Sequence, residues 1–214
     1  MQKKTQCGLY LITPPSLKIE KFAASFEQAL LADETKIIAA LQIRLKEYTQ
    51  AQLISIANAL RPICVKHKIM LLMNDFPELA SKTKCNGVHI GQTDASLEVA
   101  RASVGTSQII GVTCHNSLKL ARAASEKGAD YVAFGAFFPT KTKAVNFLAQ
   151  KHLLHEWAST SDIPSVAIGG ITPENCHSLV RAGANFLAVI SSFWGHPNGP
   201  DAAVIAFKNA ITAA

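Results

Sequence analysis

Eight short apolar runs, rich in β-branched residues, recur along the chain with helical segments between them. The runs read GLYLIT from residue 8, IIAALQI from 37, KIMLLMN from 68, GVHIG from 87, QIIGVT from 108, YVAFGAFF from 131, SVAIGG from 165 and FLAVISS from 186. Strands that alternate with helices pair in parallel, and eight such units predict closure into one (β/α)8 TIM barrel over residues 1–214. The alternative, an open flavodoxin-like sheet, needs fewer strands than this chain offers.

The segments between the runs have apolar residues three and four positions apart, which predicts helices. Clear examples are 49–67 and 173–182, the second preceded by Thr172 as a cap and opened by Pro173 and Glu174. Two junctions, EKGADYVAFG from 126 and RAGANFLAVI from 181, are near copies. In each, a glycine is placed to end the helix in the left-handed conformation just before a strand.

The composition favours a cytoplasmic protein without a membrane span. The chain is 49% hydrophobic and 17% charged, and it has no uncharged apolar stretch of about 18 residues. The first residues have only a short apolar run and no small-residue cleavage pattern, which argues against a signal peptide. The five cysteines are widely spaced without a C-x-x-C pair, so we expect reduced thiols rather than disulfides or a zinc site.

The chain is basic, with a formal net charge of +6 and a pI near 9.1. Its lysines and arginines are scattered in twos rather than gathered into a basic run or interleaved with aromatic residues. An anionic small molecule therefore accounts for the charge as well as a nucleic acid would. We expect small-molecule substrates, no nucleic acid and no membrane partner, and a homo-oligomer is left open.

The second run ends in alternating polar and apolar residues. The strand period of two places Gln42, Arg44 and Lys46 on one face and the intervening Ile43 and Leu45 on the other. In a barrel strand the apolar face packs against helices, so the cationic face looks inward, and two cations converging with an amide favour an anion receptor. The alternative is a half-exposed strand with a solvated charged side.

Carboxylates follow the next two runs. Asn74 and Asp75 end the third, and Gln92 and Asp94 follow the fourth. Magnesium is commonly bound by one or two carboxylates together with phosphate oxygens of a substrate, so Asp75 and Asp94 predict a Mg2+ site beside the cationic face. The alternative is that both aspartates cap the helices that follow.

The fifth run ends at Thr113, Cys114 and His115. Neighbours in sequence do not make a nucleophile and base, because such pairs are assembled in space, so a thiol enzyme is disfavoured. We expect Asn116 or Ser117 to cap the next helix. His89, inside an apolar run, is expected to be a hydrogen-bonded structural histidine rather than a metal ligand.

The last candidate site is an anion site at the sixth, seventh and eighth runs. Loops after strands seven and eight are the usual phosphate site of such barrels, which points to Gly170 and Ser191. The PTKTK segment adds alternating hydroxyls and ammoniums, although an exposed mobile loop is the alternative. These side chains are Thr140, Lys141, Thr142 and Lys143.

Seven of these motifs, QIRLK, LMND, GVHIGQTD, GVT, FGAFFPTKTK, AIGGIT and VISS, occur in an order and spacing that resemble the thiamine-phosphate synthase family. The resemblance covers roughly residues 8–195 and implies a TIM barrel. It also implies an alkyl transfer in which hydroxymethylpyrimidine diphosphate loses pyrophosphate and the ring nitrogen of thiazole phosphate attacks the pyrimidine methylene. The product would be thiamine phosphate.

The resemblance also implies roles for individual residues. The pyrimidine diphosphate site would contain residues 42–46, that is Gln42, Ile43, Arg44, Leu45 and Lys46, together with Asn74, Thr113 and Lys143, of which Arg44, Lys46, Thr113 and Lys143 would be catalytic. Mg2+ would be held by Asp75 and Asp94. The thiazole phosphate would be bound by Thr140, Thr142, Gly170, Ile190 and Ser191, and Lys141 would be a further substrate-binding residue.

The chain departs from the common family pattern at a few positions. Leu45 stands where many relatives have an acidic residue, Pro14 where they often have Asp, and Thr113 where they usually have Ser. Two rival functions remain. A thiazole tautomerase of the same fold would carry a His where this chain has Ala136, and a barrel that only binds thiamine precursors would lack turnover.

Overall fold

A computed structural model describes residues 6–140 and 147–214, and eight parallel strands within them close into a barrel. The strands are β1 (Gly8–Ile12), β2 (Ile38–Ile43), β3 (Met70–Asn74), β4 (Gly87–Ile90), β5 (Ile109–His115), β6 (Tyr131–Gly135), β7 (Ser165–Ile168) and β8 (Phe186–Val189). Each strand pairs with its neighbours in sequence, and β8 pairs with β1. The TIM-barrel prediction is therefore confirmed, and the open-sheet alternative is wrong.

Helices in the described part of the chain follow the strands and cover the outside of the barrel. They are α1 (Ile19–Ala32), α2 (Gln50–His67), α3 (Pro77–Lys82), α4 (Leu97–Val104), α5 (Leu118–Glu126), α6 (His152–Thr160), α7 (His177–Arg181), α8 (Ser191–Trp194) and α9 (Gly199–Thr212). No helix of these described ranges is both long and apolar enough to cross a bilayer.

Alternate residues of each strand belong to two separate apolar cores, as the strand period requires. The outer core lies between strands and helices and contains Leu41 and Ile43 of β2. The inner core fills the barrel and is smaller; it includes Tyr10, Ala40 and Tyr131. A residue of β2 therefore faces the interior when it shares the parity of Ala40, which is the parity of Gln42.

The helix ends at the two near-copied junctions have the predicted glycine geometry. Gly128 and Gly183 have φ angles of +87° and +97°, in the left-handed region that favours glycine. In each case the N–H of the glycine and that of the following residue donate to carbonyls of the last helical turn. This is the Schellman motif, and it turns the chain sharply from helix into strand.

The helix predicted over 173–182 begins later than expected. Residues 173–176 form turns, and α7 starts only at His177. The Asn175 side chain explains the difference, because its carbonyl accepts from Thr172 N at 2.9 Å while its amide donates to Gly170 O at 2.9 Å. These bonds hold the segment against the end of β7 instead of letting it continue as a helix.

The start of three strand pairs is fixed by an Asn or Asp side chain. Asn86 accepts from Leu71 N at 2.8 Å, and Asn185 accepts from Ser165 N at 2.9 Å. Asp130 plays the same part between β5 and β6, where its carboxylate accepts from Ile110 N, near the start of β5, at 2.7 Å. Each of these acceptors directly precedes β4, β6 or β8 and binds the preceding strand, so the pairs β3–β4, β5–β6 and β7–β8 are joined at their amino-terminal ends.

We expect Asn185→Ala to lower the free energy of unfolding by about 1–3 kcal/mol, because Ser165 is fully buried and its N–H would lose its acceptor. Asn185→Asp keeps an acceptor oxygen and is the matched control, with a smaller loss. Urea unfolding of the three proteins measures the difference. Equal losses in Ala and Asp variants would mean that the side chain acts by packing and not by this hydrogen bond.

The five cysteines are all buried, and burial raises the pKa of each thiol, to about 12 for Cys7, Cys64 and Cys114. The thiolate is the reactive form, so we expect none of them to react within minutes with a thiol reagent at pH 8 in the native protein. All five should react after denaturation. Rapid labelling of one or more thiols in the native protein would contradict this burial.

Candidate active site

The polar residues predicted for function gather at the carboxyl ends of the strands, where the strand-to-helix loops meet. Gln42 lies deepest, with 2% of its surface exposed, and its amide Nε2 donates to Asn74 Oδ1 at 3.2 Å. The two amides belong to adjacent strands, β2 and β3. Together they form a buried pair that presents a carbonyl acceptor and N–H donors, the complement of a ring carrying both an amine and a ring nitrogen.

The chain after Gln42 is held against the end of β1. Thr13 N donates to Gln42 O at 3.0 Å, and Arg44 N donates to Thr13 Oγ1 at 2.9 Å. Thr13 is almost completely buried, so its hydroxyl fixes the direction in which the Arg44 backbone leaves the strand. Arg44 is half-buried and Lys46 is exposed, which places both cations at the mouth of the barrel.

Lys46 and Asp75 approach each other across the ends of β2 and β3. The Lys46 Nζ lies 4.0 Å from Asp75 Oδ2. Asp75 has a φ of +66°, and its N–H donates to His89 O at 2.8 Å, so the backbone at this residue is held by β4 in the left-handed region.

Asp75 and Asp94 form a close carboxyl pair. Burial and the hydrogen bond and charge of Asp94 raise the pKa of Asp75 to about 6, against the opposing influence of Lys46 and Arg44. Two carboxylates that share a site repel each other when both are ionised, and a cation between them removes that repulsion. Among the described residues no cluster of three or more His, Cys, Asp or Glu side chains is arranged to hold a metal ion.

Neither aspartate caps the helix that follows it, so that alternative is wrong. The residue before α4 is Ser96, whose hydroxyl accepts from Val99 N at 3.3 Å. The residue before α3 is Phe76, which has no capping side chain. The helix caps therefore do not account for either carboxylate.

The loop that carries Asp94 is tied to the end of β5. Asp94 Oδ2 accepts from Gly91 N at 2.7 Å, and Gln92 Nε2 donates to Thr113 O at 2.6 Å. The loop that carries Gln92 and Asp94 therefore contacts the end of β5 at Thr113. The Thr113 hydroxyl lies 2.8 Å from His89 Nε2, so His89 is a hydrogen-bonded histidine of the barrel interior.

Ile43 and Leu45 point away from this site. Their side chains are buried in the outer core, against the helices, as the strand period predicts. Any contact that these two residues make with a ligand must come from their main chain. The presence of leucine at position 45 therefore changes the outer packing and not the charge of the barrel mouth.

Cys114 and His115 do not form a catalytic pair. The Cys114 thiol is buried in the outer core, while the His115 ring packs against Phe147 with 4.6 Å between ring centroids. The cap of α5 is Ser117, whose hydroxyl accepts from Leu120 N at 3.2 Å.

Backbone hydrogen bonds at Ala136 connect the segment after β6 with residues 147–149. Ala136 N donates to Phe147 O at 3.0 Å, and Ala149 N donates to Ala136 O at 2.8 Å. Thr140 lies on the described part of this loop and is half-buried. The other predicted residues of the loop, Lys141, Thr142 and Lys143, lie outside the described residues.

Gly170 lies directly against the start of that loop. Its φ is +61°, and a Cβ at this position would meet Pro139 O at 2.3 Å, so only glycine allows the two backbones to approach so closely. Phe138 N donates to Gly169 O at 3.0 Å and holds the contact in place. The end of β7 and the residues leading to Thr140 therefore form one surface.

The loops after β7 and β8 are also joined. Ser192 Oγ donates to Ile171 O at 2.6 Å. Ile190 packs at the top of the inner core, and Ser191 is the first residue of α8 and is exposed. The predicted phosphate residues Gly170, Ile190 and Ser191 thus come from two loops that contact each other.

The mouth of the barrel consequently has two halves. The carboxyl ends of β2 to β5 and the loops after them carry the cations, the amide pair, the carboxyl pair and Thr113. The loops after β6 to β8 carry the predicted phosphate-binding residues Thr140, Gly170, Ile190 and Ser191. Sequence reasoning did not assign Thr13 to the site or link His89 to Thr113. The position of Thr13 at a strand end was a usable signal, whereas nothing in the sequence relates residue 89 to residue 113.

Comparison with known proteins agrees with this arrangement. The profile of the thiamine monophosphate synthase family matches residues 9–193. The chain is 45% identical over 207 residues to a thiamine-phosphate synthase of Rhodospirillum centenum, covering 97% of this chain and 99% of that protein. It is 44% identical over 208 residues to the thiamine-phosphate synthase of Erythrobacter litoralis, covering 96% of each.

The fold comparison gives the same result. The structure of thiamine phosphate pyrophosphorylase from Pyrococcus furiosus superposes with a TM-score of 0.83 and 27% sequence identity, covering 98% of both chains. Profile, sequence relatives and structure all extend over nearly the whole barrel, including both halves of its mouth. The chain belongs to the thiamine monophosphate synthase family.

Proposed function

We propose that this chain catalyses the last coupling step in making thiamine phosphate, from hydroxymethylpyrimidine diphosphate and thiazole phosphate, with release of pyrophosphate. The observation that carries the proposal is the paired arrangement at the barrel mouth. The amide pair, cations and carboxyl pair of β2 to β5 suit a pyrimidine diphosphate, and the contacting loops of β6 to β8 suit a second, phosphate-bearing molecule.

The β2 to β5 half would bind the pyrimidine diphosphate through both its ring and its diphosphate group. Gln42 and Asn74 would recognise the aminopyrimidine ring, because their amides offer an acceptor and donors in a buried setting. Arg44 and Lys46 would bind the diphosphate at the barrel mouth, and Thr113 would donate a hydrogen bond to it. Lys143, outside the described residues, would add a third cation.

The carboxyl pair suits a magnesium ion. Asp75 and Asp94 supply the oxygen ligands that Mg2+ prefers. The pKa of Asp75 is raised first by burial and then by the hydrogen bond and charge of Asp94, and a bound cation would favour the ionised form of both carboxylates. Two protein carboxylates leave room for phosphate oxygens among the ligands. When bound, the ion would neutralise part of the charge that develops on the pyrophosphate.

The second half would hold the thiazole phosphate. Gly170 and Ser191 belong to the loops after β7 and β8, the usual phosphate site of TIM barrels, and backbone N–H groups there would donate to the anion. Ile190 would pack against the thiazole. The hydroxyl and ammonium groups of the loop after β6 would complete the site: Thr140, Lys141 and Thr142.

The reaction breaks the bond between the pyrimidine methylene and the diphosphate oxygen, and the leaving pyrophosphate keeps both electrons. The electron-rich aminopyrimidine stabilises the resulting cation, and the thiazole nitrogen then supplies the lone pair for the new carbon–nitrogen bond. That nitrogen carries no proton, so no general base is needed. The residues of the site therefore have to bind, orient and stabilise charge on the leaving group.

The cations can supply enough electrostatic stabilisation of the leaving pyrophosphate for such a reaction. A unit charge about 4 Å from a departing phosphate oxygen contributes about 4 kcal/mol at an effective dielectric near 20. Arg44, Lys46 and Lys143 act on the same leaving group, although only the part of their attraction that grows in the transition state accelerates the reaction. A stabilisation on the order of 10 kcal/mol is within reach of such a set.

We expect the purified protein to release pyrophosphate and form thiamine phosphate when both precursors and Mg2+ are present, and to lose this activity in a chelator. Chromatographic detection of thiamine phosphate together with a pyrophosphate assay makes the measurement. Omission of either precursor is the control. Binding of thiazole phosphate without any product under these conditions would contradict the proposal and indicate a barrel that only binds thiamine precursors.

We expect Arg44→Ala and Asp94→Ala to abolish turnover while thiazole phosphate affinity stays within about threefold of wild type, because both side chains lie in the β2 to β5 half. Isothermal titration with thiazole phosphate and steady-state kinetics measure the two quantities.

The matched counterpart is Gly170→Ala, which introduces a Cβ within 2.3 Å of Pro139 O in the other half. This variant should weaken thiazole phosphate binding by about tenfold or more and leave binding of the pyrimidine diphosphate nearly unchanged. Similar losses of both ligands in all three variants would show that the two halves are assigned wrongly.

A further inference from the structure

A row of hydrogen-bonded side chains crosses the inside of the barrel and ends at Thr113. The Tyr10 and Tyr131 hydroxyls lie 2.8 Å apart, and Tyr131 OH lies 2.8 Å from His89 Nδ1. The other ring nitrogen of His89, Nε2, lies 2.8 Å from Thr113 Oγ1. Four residues from strands β1, β6, β4 and β5 therefore form one chain from the inner core to the mouth, and we call it the interior relay.

The two tyrosines are neutral hydroxyls in this chain. Both rings are buried in the inner core, and burial raises the pKa of Tyr10 and Tyr131 well above the ordinary value. Each hydroxyl consequently has one proton to donate. Tyr131 OH has two neighbours in the relay, Tyr10 OH and His89 Nδ1, so it can donate to only one of them.

The position of Tyr10 decides the direction of the bonds. In the described part of the chain, the Tyr131 hydroxyl is the hydrogen-bond partner of Tyr10 OH. If Tyr131 donated to Tyr10, the Tyr10 proton would be left in an apolar interior without an acceptor, which is costly. If Tyr10 donates to Tyr131, then Tyr131 donates to His89 Nδ1 and both hydroxyl protons are used.

This direction fixes the tautomer of His89. A ring whose Nδ1 accepts from Tyr131 carries its proton on Nε2, and that N–H donates to Thr113 Oγ1. The Thr113 oxygen is then an acceptor toward the barrel interior. Its own proton is then directed away from His89 and remains available for another acceptor.

Two further features hold the interior relay in place. Gly111 pairs with Tyr131 in the sheet, and a Cβ at position 111 would lie 1.8 Å from Tyr131 Cζ, so the ring occupies the space that glycine leaves. The backbone of Thr113 is fixed by the 2.6 Å bond from Gln92 Nε2 to Thr113 O. The hydroxyl at the end of the relay is thus held on both sides.

We infer that His89 is a positioning residue, which makes the Thr113 hydroxyl a hydrogen-bond donor aimed at the departing pyrophosphate. The inference rests on the proposed function for its catalytic consequence. His89 touches neither substrate in this scheme, and it acts by removing the alternative in which Thr113 donates inward to the ring. A threonine donor directed at a developing negative charge favours the transition state over the ground state.

A double-mutant cycle on kcat tests the inference. Thr113→Val should lower kcat by about 10- to 100-fold, the range expected for a hydrogen bond to a charged group, and His89→Leu by about tenfold. In the Thr113→Val background the same His89 change should cost less than about twofold, because its target is gone. KM for both substrates should stay within about threefold of wild type.

Conservative and distant variants separate positioning from folding. His89→Gln can place an amide N–H near Thr113 and should keep more kcat than His89→Leu at equal thermal stability. His155→Gln, an exposed position on α6, should leave kcat unchanged. Additive losses in the double mutant, or loss of KM with unchanged kcat, would overturn the inference.

The tautomer gives a readout that does not depend on turnover. Two-bond 1H–15N spectra of the imidazoles, with His89 signals assigned by their loss in His89→Gln, should show the Nε2–H form in wild type and a mixture in Tyr131→Phe. A wild-type Nδ1–H form in an active enzyme would overturn the inference alone. A wild-type protein without turnover would overturn the proposed function and, with it, the predicted effect of His89 on kcat.

Discussion

The closed barrel gives every strand residue one of two environments, and the rest of the structure depends on that constraint. Side chains of one parity enter a narrow interior, and those of the other parity meet the helices. Tyr10 and Tyr131 show the consequence for polar groups inside, because their hydroxyls must find partners within the barrel. Gln42 shows it at the mouth, where the same parity delivers an amide to the site.

The same constraint separates the two halves of the mouth and connects each one internally. Within β2 to β5, backbone and amide bonds bind neighbouring loops to one another, as Gln92 does to Thr113. Within β6 to β8, Ser192 joins the last two loops and Gly170 lies against Pro139. Two anionic molecules held on two such surfaces would meet over the centre of the barrel, where the methylene and the ring nitrogen have to react.

The sequence predicts those parts of the fold and site that depend on local spacing. Strand period placed Gln42 inside and Leu45 outside, and the glycines at 128 and 183 ended helices as expected. Features that depend on a single competing side chain were missed. Asn175 delays the start of α7, and the residue that caps α4 is Ser96, which the sequence analysis did not name.

Contacts across the barrel were the least accessible to sequence reasoning. The residues of the interior relay come from four strands, and their meeting depends on the stagger of the whole sheet rather than on any motif. His89 could be predicted to be hydrogen-bonded from its apolar surroundings, but its partners could not be named. Lys141, Thr142 and Lys143 lie outside the described residues, so their roles stay predictions.

The Asn and Asp side chains that join strand pairs at the amino-terminal end have a consequence for how such a barrel can diverge. Asn86, Asp130 and Asn185 join adjacent strands at the end of the barrel opposite the candidate active site. The hydrogen bonds that join these strand pairs and the candidate active site therefore lie at opposite ends of the barrel. Loops at the mouth can therefore change in length and sequence to suit a new pair of substrates, while the hydrogen bonds at the other end keep adjacent strands in register.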